Sequence, residues 1–397
     1  MEEKRIGAAE KKPLDKKRVL LFAAIGAAAL LVLALLIVMA VRGRSSAPTT
    51  PQANEAIAVA DGDVQTRNAG GRSGFPLTFS GGSILDVKSV SGGMFTLTKD
   101  ALFFVSTTGA YRTPLQHSYA KPVLKTGGKY ALLFDRLTGD YTLCDARHSV
   151  LSGQSENGQQ INTAAVNEKG EVLIASKGGN YASLLSFFNR RGELLFSWEC
   201  AKEYIVSVAI AENRSDLLCA AVGAREDGEM YTKMYWLNIG KKDTVWETTL
   251  TGTAGTECAF AGGNDVLLVC ADKRLLIDTK AKKEPVTEAE YPASAAFCHT
   301  AKGMTVVANQ KVGTFDTYEI SAYGKNNKVA ASAQTEQHPL SVFCNGKQAF
   351  LLTDTGVYRV KRNGKLREVC TLSEMERGFV MVGGDAFHYN KNTLFKN

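Results

Sequence analysis

Apolar and polar positions follow two different rules along this chain. From Val19 to Val41 they do not alternate at all: VLLFAAIGAAALLVLALLIVMAV is 23 residues without a charge or a proline. As a helix rising about 1.5 Å per residue this run is roughly 34 Å long, enough to cross a bilayer core of about 30 Å. It predicts one transmembrane helix at 19–41. A cleaved signal peptide would have an apolar region of only about 7–15 residues and a small-residue cleavage site after it. Here Arg42-Gly43-Arg44 follows directly, and the small residues Ala27-Ala28-Ala29 lie mid-run.

After residue 41 no stretch keeps a helical period. From Ile84 onward one cycle recurs instead. A short apolar strand leads through a Gly-containing turn to a strongly hydrophobic strand, then an alternating strand, then a more polar one. Expected first strands begin near Ile84, Pro122, Ile161, Ile205, Thr256, Ala293, Pro339 and Gly378, spaced 38, 39, 44, 51, 37, 46 and 39 residues apart. Four-stranded units at that spacing are the signature of propeller blades. The second blade reads PVLKTGG, KYALLFDRLTG, DYTLCDARH, SVLSGQ, and the seventh PLSVFCNGK, QAFLLTDTG, VYRVKRNG, KLREVCTL. The second strand is the most hydrophobic in each, as a strand sandwiched between neighbouring blades should be. Third strands alternate, as in Val357-Tyr358-Arg359-Val360-Lys361.

The last unit has Gly378–Gly383, Ala386–Asn390 and Thr393–Lys396 but no fourth strand, while Phe75–Ser80 (FPLTFS) stands alone before the first. If that N-terminal strand completes the C-terminal sheet, the ring closes and hides its edges. The expected fold is therefore all-β, a β-propeller with eight blades favoured and seven as the alternative, preceded by one transmembrane α-helix. Its divisions are a basic cytoplasmic tail at 1–18, the helix at 19–41, a flexible linker at 42–74 and a propeller ectodomain at 75–397. The linker begins Ser45-Ser46-Ala47-Pro48-Thr49-Thr50-Pro51, and some 30 flexible residues reach about 30 Å. Asp61-Gly62-Asp63 lacks the 12-residue frame of a calcium loop and reads as a turn.

Charge changes the picture in one respect. The chain carries a net +7, of which Met1–Arg18 holds +3 and Arg42 and Arg44 another +2. Seven cations before the span and two just behind it place the N-terminus in the cytoplasm and the rest outside. The remaining +2, with no Lys/Arg block, argues against a nucleic-acid partner.

Candidate chemistry is sparse. All eight cysteines (Cys144, Cys200, Cys219, Cys258, Cys270, Cys298, Cys344, Cys370) lie in the expected exterior, where disulfides are allowed, yet none forms a C-x-x-C pair and most sit inside apolar strands. Buried free thiols are the favoured reading, with one or two disulfides as the alternative. His117, His148, His299, His338 and His388 are scattered, and no H-E-x-x-H, G-x-S-x-G, P-loop or dinucleotide fingerprint occurs. Ser118-Tyr119-Ala120-Lys121 and Lys125-Thr126-Gly127 mimic two motifs of penicillin-binding enzymes, but are nearly contiguous where those enzymes keep them far apart. Asp135, Asp140 and Glu199 fall at strand ends and turns, where carboxylates commonly have structural roles. No catalytic, cofactor-binding or metal-binding residue is singled out.

HSYAKPVLKTGGKYALLFDR (117–136), KGGNYASLLSFFNRRGELLFSW (177–198) and YIVSVAIAENRSDLLCAAVG (204–223) resemble the recurring signatures of a domain-of-unknown-function family of bacterial proteins, found mainly in Firmicutes. The resemblance spans the anchor and nearly all of the remaining chain. It implies an N-terminally anchored, propeller-like ectodomain and supplies no catalytic residues. The ring would be WD40-like in architecture without that class's repeated Gly-His and Trp-Asp pairs, since only Trp198, Trp236 and Trp246 are present. The expected role is a non-enzymatic binding or scaffolding module. It would contact the membrane through residues 19–41 and bind a protein or cell-envelope component. The alternative is a cell-envelope enzyme acting on a glycan or peptide at the propeller channel.

Overall fold

Eight four-stranded antiparallel sheets make up the described part of the chain. The computed structural model describes residues 74–397 apart from 80–81, 112, 242, 282–285, 292–296, 302 and 373–375. The tail, span and most of the linker expected at 1–73 lie outside the described residues. Among the described residues no helix is long and apolar enough to cross a membrane.

In each sheet the strands are laid down in chain order from the innermost outwards, with one exception. The innermost strands are Ile84–Val90, Pro122–Gly127, Ile161–Val166, Tyr204–Ile210, Gly255–Gly262, Phe297–Ala301, Pro339–Cys344 and Gly378–Val382, here blades one to eight. Five begin where the hydrophobic pattern places them, and those of blades four and five begin one residue earlier. Blade six, expected from Ala293, has its first strand at Phe297, and residues 292–296 are not described. Neighbouring inner strands pack against each other at seven of the eight boundaries, that of blade one meeting that of blade eight, and Arg274 joins blade five to blade six, so the sheets follow one another round a closed ring.

The exception is blade eight. Its inner three strands are Gly378–Val382, Asp385–Tyr389 and Thr393–Lys396, and its outermost is Leu77–Thr78 from the start of the domain. Leu77 pairs with Leu394 and Thr78 with Thr393 in antiparallel register. Leu77 and Phe79 are buried among Ile84 and Val87 of blade one and Val380, Val382, Phe387 and Leu394 of blade eight. The ring therefore closes on eight blades through a composite sheet.

Second strands form the core. Gly93–Thr98, Tyr130–Asp135 and Ala349–Thr353 are buried at every position. Each has neighbouring sheets on both faces, so both sets of alternating side chains leave water. Core clusters accordingly span blade boundaries: Leu173, Ala175, Leu185 and Phe187 of blade three pack with Ile205, Val208, Leu217 and Cys219 of blade four. The blades approach so closely that a Cβ on Gly127 would lie 2.2 Å from the Val166 carbonyl oxygen. Turns are fixed by side chains. In Asn167-Glu168-Lys169-Gly170-Glu171 the Asn167 Oδ1 accepts from the Lys169 and Glu171 N–H groups, and Asn189 repeats the arrangement with Arg191 and Glu193.

Strand direction defines two faces. The loops between second and third strands and the connections between blades share one face, called the upper; the other turns share the lower.

Candidate functional site

The channel is lined by the inner strands, and a repeated bulge decides what they present. In blades one, three, five and seven the register with the second strand shifts after the first residue of the inner strand, and in blade four after the second, with one residue skipped each time. The first paired residue after each bulge is Asp86, Thr163, Ser207, Glu257 or Ser341. All five are polar. A bulge re-aims the side chains that follow it, so the chain places one polar group at matching depth in each of these five blades. Two residues further on, blades three, four and five carry Ala165, Ala209 and Ala259. Blade one carries Lys88 at that position, and Lys125 of blade two pairs at the equivalent place in its hairpin. Small residues on one side and lysines on the other give the channel two unlike walls.

Inner strands have no ladder partner on their channel edge, and side chains from adjacent blades supply some of the missing bonds. Ser207 Oγ of blade four accepts from the Cys258 N–H of blade five at 3.0 Å. Glu257 of blade five is hydrogen-bonded to Thr300 of blade six. His299 Nδ1 of blade six accepts from the Cys344 N–H of blade seven at 3.2 Å. Three consecutive blade boundaries are thus stitched in the same direction at the channel wall.

The electrostatics of this wall are uneven. Burial raises the Glu257 carboxyl above the ordinary range for glutamate, and Lys125, Lys88 and the Thr300 hydrogen bond act against that rise. Burial, with Lys88 adding to it, lowers His299 to about 4. Lys88 also contacts Asp86 at 3.4 Å. In an eight-membered ring, blades one and two stand opposite blades five and six. The lysines therefore face the carboxyl and imidazole across the channel.

Other polar clusters are structural. Asp135 accepts from the N–H groups of Ala120, Lys121 and Leu137 at 2.9–3.0 Å. Burial opposes its ionisation, but these donors and His117 outweigh burial and hold it below the usual aspartate value. Asp140 accepts from Thr138 and Gln154, and Glu199 is hydrogen-bonded to Tyr181. Buried Glu171 takes Arg214 of the next blade through Nε at 2.8 Å and through a second guanidinium nitrogen. Arg274, wholly buried, donates to the Gly303 carbonyl at 2.7 Å and to the Gly324 carbonyl, pinning blade six to blade five. Glu203 accepts from Tyr231 and Tyr235, both at 3.0 Å, and from the Cys200 thiol.

The expected free thiols are present. All seven described cysteine side chains are buried and unbridged. Burial pushes Cys200 and Cys270 up to about 11, and Cys144 and Cys258 up to about 12. Burial raises Cys219 and Cys370 as well, so none of these six has the depressed pKa of a nucleophile. Cys344 Sγ lies 3.4 Å from His299 Nδ1, but this imidazole resists protonation and the thiol is fully buried, so the pair is not a thiolate–imidazolium couple. Ser118–Lys121 sit in an upper-face connection while Gly127 ends the strand at the lower face, and these look-alike motifs form no site. Among the described residues no group of three His, Cys, Asp or Glu side chains is placed to hold a metal ion.

The upper face is apolar in places where solvent reaches it. Ten large hydrophobic side chains are exposed among the described residues. Six of them, Leu85, Leu137, Tyr204, Met230, Val312 and Phe315, lie at the upper ends of strands or in upper-face loops. Leu194, Leu195, Val245 and Val329 begin outermost strands near the lower face. Val312 is 84% and Phe315 91% exposed, yet their loop is held firmly: Gln310 Nε2 donates to the Thr314 and Phe315 carbonyls, and Lys311 N–H to the Thr317 carbonyl at 2.8 Å.

Of these features the bulge ring, the two-sided channel and the Phe315 loop were not singled out in the sequence. The signal available was a charge inside an otherwise apolar inner strand: Lys88 in ILDVKSV and Glu257 in GTECAFAG.

Comparison with known proteins gives the same architecture. A family model described as "Family of unknown function (DUF5711)" matches residues 78–389. No curated protein sequence matches. Among solved structures the chain is similar to BamB from Moraxella catarrhalis, with a TM-score of 0.52 at 10% identity, covering 81% of this chain and 100% of that one. It is also similar to the computationally designed Ika8 protein, with a TM-score of 0.47 at 13% identity, covering 68% of this chain and 81% of that one. The Pan2 WD40 domain of Neurospora crassa gives 0.45 at 10% identity, covering 70% and 88%. At these identities the BamB likeness concerns the fold alone.

Proposed function

The chain belongs to this family of unknown function, and we propose that it works as a non-enzymatic docking module, an extracytoplasmic propeller held to a bacterial membrane by its N-terminal helix. The observation that carries the docking role is the upper face. Six exposed large apolar side chains lie on it, spread over blades one, two, four and six, and two of them share a loop whose backbone is fixed. Exposed apolar surface of this kind marks interaction sites, and a preordered loop loses little entropy when it is covered. The occupant we assign is a protein with an apolar recess, fitted by Phe315 and Val312. The anchor and its orientation rest on the length of the 19–41 run and the Lys/Arg asymmetry about it. Protease treatment of intact cells should remove the propeller and leave the first 18 residues protected. Protection of the propeller would refute the orientation.

The alternative, an envelope enzyme working from the channel, draws on Glu257. Paired-carboxylate glycoside chemistry needs a second carboxyl at roughly 5–10 Å. Asp86 is the other carboxylate on the inner strands, and it is tied to Lys88.

The deciding experiment is site-specific photo-crosslinking in intact membranes with the native anchor present. A crosslinker at position 315 should trap one defined partner that a crosslinker at 329, near the opposite face, does not. Identical products from both positions, or none from 315 combined with turnover of an envelope glycan by the purified protein, would overturn the docking role.

A further inference from the structure

The channel holds separated opposite charges that do not meet. Among the described residues Lys125 is exposed and has neither an ion pair nor a hydrogen bond, and Glu257, on the far side, feels Lys125 and Lys88 only at a distance, with no described cation within 4.0 Å. Glu257 bonds to a hydroxyl, that of Thr300, and Lys88 is engaged by Asp86 on its own strand. Between the two walls, Ala165, Ala209 and Ala259 keep the lining small. A charge in a partly dehydrated channel gains from a close partner far more than one in open water. Each of these two groups lacks one.

We propose that the channel is a binding site for a small zwitterion, a molecule carrying a carboxylate and an ammonium group. The carboxylate is received by Lys125 with Lys88 beside it, and the ammonium by Glu257. The charge arrangement selects this class over its competitors. A simple anion would be drawn to the lysines but repelled by Glu257, and a simple amine the reverse. Only a ligand with both charges satisfies both walls, and the distance between its charges must match the distance across the channel. The elevated pKa of Glu257 agrees with a carboxyl that awaits a cation. This site is separate from the docking face, and it stands or falls independently of the partner sought there.

The test is calorimetric titration of the full chain in detergent with glycine, diglycine and triglycine, whose charges lie progressively further apart. One member of the series should bind saturably. Its N-acetyl and C-terminal amide derivatives, each with a single charge, should bind about tenfold or more weakly. Lys125→Ala and Glu257→Gln should each cost a similar factor, with circular dichroism confirming the fold. If a variant does not fold, the single-charge derivatives on the wild-type protein still decide. Absence of saturable binding across the series overturns the proposal, as does equal binding of zwitterions and their blocked forms.

Discussion

The imidazole of His299 accepts a hydrogen bond at Nδ1 from the backbone N–H of Cys344, 3.2 Å away on the next blade. To do so it must be unprotonated at Nδ1, which leaves the ring proton on Nε2. Protonation would turn the acceptor into a donor facing a donor. Its folded-state pKa of about 4, set by burial and by Lys88, is therefore also a statement about the seam between blades six and seven. The unfolded chain binds this proton near pH 6.5 and the folded one only near 4. Stability is thus fully present above about pH 6.5 and falls as pH drops through that window, by up to about 3 kcal/mol from this group. Denaturant midpoints measured from pH 7.5 to 4 should show this loss. His299→Asn, which keeps an acceptor and cannot titrate, should flatten it; an unchanged slope in the variant would refute the assignment.

Ring closure depends on a two-residue strand. Leu77 is 3% exposed and sits between blades eight and one. Truncating it leaves a cavity in the sheet that, among those described, takes its strands from both ends of the domain. Leu77→Ala should cost about 2–5 kcal/mol. Thr78→Ala removes the exposed Thr78–Thr393 hydroxyl contact and should change stability by less than about 0.5 kcal/mol. Similar urea midpoints for the two variants would mean that the N-terminal strand does not close the ring.

The blades are legible in the sequence because a strand sandwiched between sheets must be apolar on both sides, and runs such as YALLFD and DVLLVC repeat that demand at regular spacing. Closure was legible for a related reason: TLFK ends the chain without a fourth strand, and FPLTFS precedes the first blade without a sheet of its own. The ends of inner strands were less so. Tyr204 joins its ladder although exposed, and hydropathy places the start at Ile205. The channel was not legible. Whether Glu257 faces it depends on a bulge between Gly255 and Glu257, and a bulge is a property of pairing with the second strand. That Lys88 should face Glu257, and Lys125 His299, depends on the blade count, which sets which blades stand opposite.

Cys219 and Cys344 are completely buried, and burial raises the pKa values of Cys144, Cys200, Cys219, Cys258, Cys270 and Cys370. Thiolates are the reactive form, so native protein should resist alkylation at all seven described cysteines near neutral pH. In denaturant all seven should react without prior reduction, because none is bridged. Mass spectrometry with and without reductant reads both outcomes. A mass difference of two hydrogens per pair on reduction would show disulfides.

Phe315 offers a separation of stability from binding. At 91% exposure its ring buries almost nothing, and the bonds that shape its loop come from Gln310, Lys311 and Thr314 rather than from the ring. Phe315→Ser should leave the melting temperature unchanged within the roughly 0.5 kcal/mol typical of surface substitutions. It should nevertheless lower the yield of the partner trapped on the upper face by about tenfold, as loss of a central aromatic anchor does. Gln310→Ala keeps the ring but frees two carbonyls of the loop, so it should weaken capture less, through lost preorganisation. Equal capture by wild type and Phe315→Ser would remove this loop from the docking surface. Loss of folding in that variant would instead show that the ring packs against something in the native protein.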